Sequence, residues 1–379
     1  MKNNILFICV TLITFFASGQ LEVENDIREL FNSELKKQSI YNGVLQVYSN
    51  SKSVDIQLSG GTFKNGDSIT SKNPFYTASI GKTFTATAIA ILKDKGELAF
   101  NDRISQYLSK NIITGLHVMN SEDRSHKITI AQLLQHTSGL PDYFEDKTID
   151  ESPNMISQLF VSPNKIWTPH ECIQFTKEKM KPLFLPGEGY HYTDTEYVLL
   201  GLIVENVSGL ELHEFFKQHI FKPLNMHYTY LNLKSEPLSE SLQMAEVFAG
   251  EQDLSAFKSL SADWAGGGIV STTSDLITFQ EALFTDKLLT SETLKMMQQW
   301  LLETQGMYYG YGLRKIVFNE IHPSLPNIEV MGHSGSTGSF LYYCPSLDTY
   351  ISGTLNQADE VRDSIVLIAN ILKIVKSGN

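Results

Sequence analysis

The spacing of apolar residues predicts a helix followed by two strands at the beginning of the chain. From 23 to 38 the apolar positions repeat with the period of a helix: Ile27, Leu30, Phe31 and Leu35. Residues 43–48 and 53–58 instead alternate between apolar and polar side chains, which is the period of a half-buried strand. The Asn50-Ser51 neighbourhood supplies the turn between these two strands.

Three more runs near the far end of the chain predict strands: 328–331, 339–344 and 349–355, with a turn at 345–348. Residues 360–376 then have the pattern of an amphipathic helix. Between the two ends the chain is mostly helical and rich in loops. We therefore predict an α/β (α+β) fold, in which an antiparallel sheet is built from both chain ends, is flanked by helices and carries a mostly helical inserted region.

Length and composition fit a globular protein with two lobes. The chain has 379 residues, of which 42% are hydrophobic and 19% are charged, and it contains no repeat or low-complexity tract. We expect a sheet lobe from about 20–98 and 300–379 and a helical lobe from about 99–299. Pockets tend to form where such lobes meet, so we expect the active site there.

The first 19 residues have the pattern of a secretory signal peptide. Lys2 precedes an apolar run that ends in the small residues Ala17-Ser18-Gly19. We expect the mature chain to begin at Gln20 and to be exported, either to a periplasm or out of the cell. An uncleaved anchor is the alternative, although the run is shorter than the roughly 20 residues that a membrane span needs. After cleavage no stable membrane span is expected.

The net charge limits the possible binding partners, and the number of cysteines limits the possible disulfides. The formal charge is −12 at pH 7, so nucleic acid and anionic membrane surfaces are poor partners. Cys172 and Cys344 remain once Cys9 leaves with the signal. They could pair in an oxidising compartment or stay free, and two cysteines do not make a disulfide scaffold.

The stretch TASIGKTFTATAIAILKDKG, Thr77–Gly96, fits two kinds of site. A nucleotide-binding loop ending in Gly-Lys-Thr needs a glycine at position 76, which is Tyr76. The alternative is a serine nucleophile with a lysine partner, Ser79 and Lys82. A helix predicted over 83–95 places both in its first turn, on one face and within reach of each other. Ser-x-x-Lys occurs five times in the chain, but only this copy precedes an apolar helix rich in small residues.

Four other segments accompany this one: LLQHTSGLPDY from Leu133, PGEGYHYTDTEYVLLGLIVENVSG from Pro186, AGGGIVS from Ala265 and GHSGSTGSFLYY from Gly332. Together with ASIGK they resemble the serine beta-lactamase and penicillin-binding protein superfamily. The resemblance is to the class C-like branch, which includes DD-peptidases, D-aminopeptidases and esterases. The matching segments occur in the family's order and span most of the mature chain.

The resemblance implies a role for each motif residue. Ser79 corresponds to the acylated nucleophile and Lys82 to its proton partner, and Tyr192 of Tyr192-Thr193-Asp194 shares the proton transfer. The backbone amides of Ser79 and Ser336 would form the oxyanion hole, and Gly335 would allow close approach. No cofactor or metal is implied. His-Glu-x-x-His is absent, since His170-Glu171 and His213-Glu214 lack the second histidine and are expected on helix surfaces.

Two positions depart from the family's usual pattern. Asp194 stands where asparagine is usual, so an acceptor replaces a group that can also donate. We expect Asp194 to keep Lys82 charged, to move the general-base role towards Tyr192 and to hinder beta-lactam turnover. His333 stands where a lysine is usual and has an unperturbed pKa near ~6.5. We expect it to hold a substrate carboxylate by charge only under mildly acidic conditions, or else merely to order its strand.

Together with the export signal, the resemblance implies a secreted serine hydrolase acting on amide or ester bonds of small molecules or peptides, most simply D-amino-acid peptides or small esters. A class C-like beta-lactamase and a catalytically weak penicillin-binding or cell-wall-binding module are the alternatives. No Gly-x-Ser-x-Gly elbow occurs, which counts against an α/β-hydrolase. Five aromatic residues would either line the cleft or belong to the core: Tyr143, Tyr190, Trp264, Tyr309 and Tyr311. The oligomeric state is not predicted.

Overall fold

The computed structural model describes residues 20–378, so the predicted signal peptide at 1–19 lies outside the described residues. Helices are numbered α1 (20–34), α2 (Gly81–Asp94), α3 (Lys110–Ile113), α4 (Ile130–Leu134), α5 (Met155–Val161), α6 (Pro169–Lys179), α7 (Asp194–Ser208), α8 (Leu212–Phe216), α9 (Trp264–Gly267), α10 (Thr273–Phe284), α11 (Ser291–Met297), α12 (Phe318–Ile321) and α13 (Val361–Ser377).

Strands are numbered β1 (Asn42–Ser49), β2 (Val54–Gly61), β3 (Phe75–Tyr76), β4 (Val118–Met119), β5 (Glu122–Asp123), β6 (Tyr230–Leu231), β7 (Phe248–Ala249), β8 (Gln252–Asp253), β9 (Ile269–Ser271), β10 (Leu301–Thr304), β11 (Met307–Tyr309), β12 (Arg314–Val317), β13 (Glu329–Ser334), β14 (Ser339–Cys344) and β15 (Thr349–Thr354). Each of the five predicted strands is present, and their ends differ from the prediction by a few residues.

An eight-stranded antiparallel sheet organises the molecule, with the strand order β10-β11-β12-β13-β14-β15-β1-β2. The two ends of the chain meet in this sheet, since β1 pairs with the last strand, β15, with Val47 opposite Ile351, and β2 pairs with β1. The predicted fold class is therefore confirmed. Strands β10 to β12 were not predicted from the sequence, because they are short and their polar residues obscure the alternation.

The two faces of this sheet bury different sets of side chains, as the alternation along a strand requires. On β14, Phe340 and Tyr342 pack with the apolar residues of α1 and α13, whereas Leu341 joins the core on the helical side. Cys172 belongs to the helical core and Cys344 to the α13 side, and both are buried free thiols. The disulfide that the sequence left open does not form.

Helix α2 passes through the middle of the helical core and carries the serine motif at its beginning. Twelve of its 14 residues are buried, so it is apolar or small on every face. Its end agrees with the sequence prediction, because Gly96 follows with φ +75°, a conformation that favours glycine. Among residues 20–378, no helix is both long and apolar enough to cross a membrane.

Candidate active site

Ser79 lies in a single 3-10 turn, Ala78–Ile80, between β3 and α2. Ala78 has φ +46°, which is a strained conformation for a residue with a Cβ and costs on the order of 1 kcal/mol or more. The surrounding bonds hold this turn: Thr77 donates to the carbonyl of Ile269 through both its backbone N–H and its hydroxyl, at 2.9 and 2.8 Å. The rigid turn leaves Ser79 partly exposed at the start of a buried helix.

Lys82 is fully buried, and its ammonium connects three groups. Nζ lies 3.3 Å from Ser79 Oγ, 2.5 Å from Asp194 Oδ1 and 3.2 Å from the carbonyl oxygen of Gly266. A side chain at position 266 would not fit, since a Cβ there would lie 2.2 Å from Asp194 Oδ1. The Ser-x-x-Lys pair predicted from the sequence is thus assembled, and Asp194 completes a three-membered chain of polar contacts.

Two further carboxyl groups lie close enough to Asp194 to be influenced by its charge. Asp142 accepts from the backbone N–H of Asp194 at 2.8 Å, and Asp263 accepts from the hydroxyl of Tyr76 at 2.7 Å. Burial, followed by the charge of Asp194, raises the pKa of Asp142 to about 7 and that of Asp263 to about 6. The site therefore contains three carboxyl groups, those of Asp142, Asp194 and Asp263, for the single ammonium of Lys82.

Tyr192 completes the predicted catalytic set. Its ring centroid lies 4.8 Å from Lys82 Nζ. Burial and the charge of Asp194 raise the pKa of Tyr192 well above its usual value, although Arg314 and the nearby Ser79 side chain oppose them. Tyr192 is therefore a neutral phenol in the resting site, with its proton available.

His333 lies on β13 and is almost completely buried. Its Nδ1 lies 2.7 Å from the carbonyl oxygen of Ser334, so Nδ1 carries the proton and donates it. Nε2 then accepts from the hydroxyl of Tyr309 at 3.1 Å. Burial and the charge of Arg314 lower the pKa of His333 well below its usual value. The prediction that His333 becomes charged under mildly acidic conditions is therefore wrong.

The residues after His333 pack directly against the serine turn. A Cβ at Gly335 would lie 2.3 Å from the carbonyl oxygen of Thr77, so only glycine allows this approach. Ser339 fixes the same contact, because its hydroxyl donates to that carbonyl at 2.7 Å. Ser336, whose amide the sequence assigns to the oxyanion hole, lies one residue beyond Gly335 and is exposed. The structure thus brings the predicted motifs to one place.

An arginine and a glutamate that sequence reasoning did not find also line the site. Arg314 on β12 donates to both carboxylate oxygens of Glu303, each at 2.7 Å, and to Ser334 Oγ at 3.2 Å. The guanidinium carbon lies 5.5 Å from the ring centroid of Tyr192 and 5.7 Å from that of Tyr309. No motif marks either residue, and only the pairing of β12 with β13 brings Arg314 here.

The aromatic residues divide between the two predicted locations. Tyr309 lies beside Tyr192, with the two ring centroids 5.9 Å apart, and Tyr190 lies on Tyr309 with a centroid distance of 6.2 Å. Tyr143, Trp264 and Tyr311 are core residues. A literal Tyr-x-Asn also occurs at 230–232, but it is strand sequence away from Ser79, since Tyr230–Leu231 pairs with β9. Within residues 20–378 no group of three histidine, cysteine or carboxylate side chains is placed to hold a metal ion.

Comparison with known proteins agrees with this arrangement. A penicillin-binding protein of Bacillus subtilis (strain 168) is 26% identical over 284 residues, which cover 69% of this chain but only 55% of that relative. The D-amino acid amidase of Ochrobactrum anthropi SV3, solved with L-phenylalanine amide, has a TM-score of 0.77 at 22% identity over 94% of this chain and 99% of its own.

A D-stereospecific amidohydrolase from a Streptomyces species shares the fold too, with a TM-score of 0.71 and 23% identity over 89% of this chain and 94% of its own. At these identities the solved structures establish the architecture. The family follows from the sequence itself, because residues 27–376 match the beta-lactamase family along nearly the whole chain. The chain belongs to the beta-lactamase family, whose members are serine hydrolases.

Proposed function

We propose that this chain is an exported serine hydrolase that forms an acyl-enzyme on Ser79 and acts on D-amino-acid amides or small esters. One observation carries the proposal. The ammonium of Lys82 lies between Ser79 Oγ at 3.3 Å and Asp194 Oδ1 at 2.5 Å, in a buried setting next to the tyrosine of the second motif. A nucleophile, a proton acceptor and a group that orients the acceptor are the parts that acyl transfer needs.

The proton movements follow from these contacts. As Ser79 Oγ attacks the carbonyl carbon, its proton passes to the phenol oxygen of Tyr192, and the proton that Tyr192 carried passes to the leaving nitrogen or oxygen. The ammonium of Lys82, paired with Asp194, stabilises the negative charge that develops on the Ser79 and Tyr192 oxygens. Water then attacks the acyl-enzyme by the reverse route, and Ser79 regains its proton. The amides of Ser79 and Ser336 would stabilise the oxyanion in both steps.

The charges of the site favour a substrate without a carboxylate near the scissile bond. Arg314 already donates two hydrogen bonds to the carboxylate of Glu303, and His333 is uncharged. No free cation is therefore available among these residues to pair with a C-terminal carboxylate. The surplus of carboxyl groups around Lys82 would instead attract a free α-amino group, which is what a D-amino-acid amide presents.

A direct test compares the chain from Gln20 onward with a Ser79→Ala variant on three substrates: D-phenylalanine amide, p-nitrophenyl acetate and an N-acyl-D-alanyl-D-alanine peptide. We expect Ser79-dependent turnover of the amide or the ester that exceeds turnover of the peptide. Equal rates for the two proteins on all three would refute the proposal. The L-phenylalanine amide serves as the stereochemical control.

Intact mass after mixing with a penicillin separates the alternative functions. A long-lived adduct that is absent from the Ser79→Ala variant would support a penicillin-binding module or a DD-peptidase. A transient adduct with consumption of the drug would indicate a beta-lactamase. Absence of an adduct, together with ester or amide turnover, is the result that we expect.

Export is part of the same proposal and has its own test. The support is the composition of residues 1–19, with Lys2 ahead of an apolar run and small residues at its end. Expression of the full chain with its leader in a bacterial host should give a protein that starts at or near Gln20 outside the cytoplasm. A chain that keeps Met1 and stays with the cytoplasmic fraction would contradict export.

A further inference from the structure

The segment 136–142, sequence HTSGLPD, has no part in the proton movements described above, yet it is bonded along its length to the segment that carries Tyr192. The hydrogen bonds between 136–142 and 191–196 are His191 N to His136 O, Thr193 N to His136 Nδ1, Thr193 Oγ1 to Pro141 O, Asp194 N to Asp142 Oδ1, Thr195 Oγ1 to Pro141 O and Ser138 N to Glu196 Oε1. We call 136–142 the clamp segment.

Within the clamp segment, His136 contacts Tyr192 and both of its neighbours in the chain. Its carbonyl oxygen accepts from the N–H of His191 at 2.9 Å, and its Nδ1 accepts from the N–H of Thr193 at 3.2 Å. These are the two residues on either side of Tyr192 in the chain. The imidazole also packs on Tyr192 itself, with the two ring centroids 4.4 Å apart. Both backbone neighbours and the ring of Tyr192 are therefore contacted by one residue, through its carbonyl oxygen and its imidazole.

The backbone of His136 is strained to reach this position. Its φ is +59°, a left-handed conformation that few residues with a Cβ adopt. Such a conformation is unfavourable for a residue with a Cβ and persists only where the surroundings impose it. The contacts to His191, Tyr192 and Thr193 are the contacts that impose it here.

The side chain of Glu196 determines the protonation of His136. Its Oε2 lies 2.6 Å from His136 Nδ1, and both side chains are completely buried. Since Nδ1 already accepts from Thr193, it bears no proton, and the proton of this contact is on Glu196. The pKa directions agree: burial raises the pKa of Glu196 well above its usual value and lowers that of His136 well below.

His136 is therefore a neutral imidazole that receives two hydrogen bonds at Nδ1 and keeps its proton on Nε2. Within the described part of the chain, Nε2 has no hydrogen-bond partner. A proton relay through the ring would need a partner at both nitrogens. The contacts thus fit a residue that holds its neighbours in place and does not itself transfer protons.

We propose that His136, with neutral Glu196 as its partner, is the positioning residue for Tyr192 in acyl transfer. The inference rests on the proposed function, because it assumes that Tyr192 handles the proton of Ser79. A Tyr192 hydroxyl displaced by about an ångström would be misplaced for proton transfer with Ser79, and displacements of that size can cost about 100-fold in rate. The buried, strained histidine removes this freedom.

A double-mutant cycle tests the proposal. His136→Leu, which removes the acceptor, and His136→Asn are each made in the parent chain and in a Tyr192→Phe chain, with kcat/KM for p-nitrophenyl acetate as the readout. Asparagine suits the left-handed backbone and places an oxygen near the position of Nδ1. We expect His136→Leu to lose about 10- to 100-fold in the parent chain and less than about 2-fold in the Tyr192→Phe chain. His136→Asn should recover most of the loss.

Glu196 supplies a second arm in case His136→Leu does not fold. Glu196→Gln keeps a donor towards His136 Nδ1 and an acceptor for Ser138 N, so it should stay within about 3-fold of the parent, whereas Glu196→Ala should behave like His136→Leu. Equal losses in both Tyr192 backgrounds would overturn the inference, since that result means a general structural role. Full activity in Tyr192→Phe alone would overturn both the inference and the proposed role of Tyr192, which separates the two failures.

Discussion

Asp194 Oδ1 and Lys82 Nζ form a salt bridge of 2.5 Å in which Lys82 is completely buried and the carboxylate is nearly so. Two charges removed from water in this way are costly to hold unless each has further partners. Lys82 has Ser79 and Gly266, and Asp194 stands at the beginning of α7, where the helix dipole favours a negative charge. The pair is thus stable only as a unit.

Asp194→Asn should destabilise the fold while improving reaction with penicillins. Asparagine keeps an acceptor for Lys82 but removes the negative charge, which leaves a buried ammonium without its counter-ion. We expect the free energy of unfolding at pH 8 to fall by about 3 kcal/mol, measured by denaturant titration. The new amide can donate to the carbonyl of a penicillin side chain, so acylation by penicillin, followed by intact mass, should become faster.

The matched control is Asp253→Asn, which breaks the exposed pair between Lys64 and Asp253. A surface pair contributes little, so its loss should change the free energy of unfolding by less than about 0.5 kcal/mol. Equal effects of the two substitutions would show that the buried salt bridge contributes no more to the free energy of unfolding than the exposed one. Unchanged acylation in Asp194→Asn would show that the missing amide donor does not limit beta-lactam recognition.

Asp142 should make the stability depend on pH. In the unfolded chain its pKa is near ~3.9, whereas burial and Asp194 raise the folded value to about 7. Between these values the folded state binds more protons than the unfolded state, so the contribution of Asp142 to stability falls as the pH rises. Asp142→Asn removes that loss and keeps an acceptor for the N–H of Asp194.

We therefore expect the free energy of unfolding of Asp142→Asn, relative to the parent, to increase by about 3 kcal/mol from pH 4.5 to pH 8. Asp26→Asn, on the exposed side of α1, is the control and should show no such trend. The comparison with the parent at each pH cancels the opposite contribution of the buried histidines His136 and His333, whose pKa values are lowered. A flat difference between pH 4.5 and 8 would contradict the raised pKa of Asp142.

The sequence was sufficient to identify candidate site residues whose type suggests a reaction and which lie close together in the chain. Ser79 and Lys82 are three residues apart at a helix start, so local geometry alone brings them together. Strands such as β14 and β15 are apolar enough for the alternation to mark them. The antiparallel sheet from both chain ends followed from these patterns.

The rest of the site depends on contacts between segments far apart in the chain, which no local pattern records. Arg314 is next to Ser334 only because β12 pairs with β13, and Glu303 reaches it from the far end of the sheet. The uncharged state of His333 results from burial and from Arg314, and neither could be known from residue type. The clamp segment around His136 was recognised as a motif, but its contacts to 191–196 were needed to give it a role.

Cys172 and Cys344 provide a simple check of the packing. Burial raises the pKa of the Cys172 thiol to about 12 and raises that of Cys344 too, so neither is a reactive thiolate near neutral pH. The chain from Gln20 should give no reaction with a thiol reagent such as Ellman's reagent when native, and two equivalents per chain in denaturant. A reducing agent should not change its melting temperature. One or no equivalent in denaturant would mean that the thiols pair or are modified.

Glu303→Gln should change which substrates are accepted, because Glu303 neutralises Arg314. Glutamine retains one acceptor and the shape of the carboxylate, but it releases the charge of a guanidinium that lies 5.5 Å from the Tyr192 ring. A substrate carboxylate could then pair with Arg314, and charge-assisted bonds of this kind contribute about 1.5–3 kcal/mol. We expect kcat/KM for an N-acyl-D-alanyl-D-alanine peptide to rise about 10-fold and that for D-phenylalanine amide to fall.

The ratio of the two kcat/KM values is the informative quantity, since a general loss of stability or of active enzyme lowers both and cancels in the ratio. Glu320→Gln is the control: Glu320 accepts from Tyr308 on the exposed side of the same part of the sheet, and its substitution should leave the ratio unchanged. A rise in salt concentration should reduce the gain of Glu303→Gln, as expected for an interaction between charges. An unchanged ratio would mean that Arg314 does not face the substrate, and the preference for uncharged leaving groups would then need another origin.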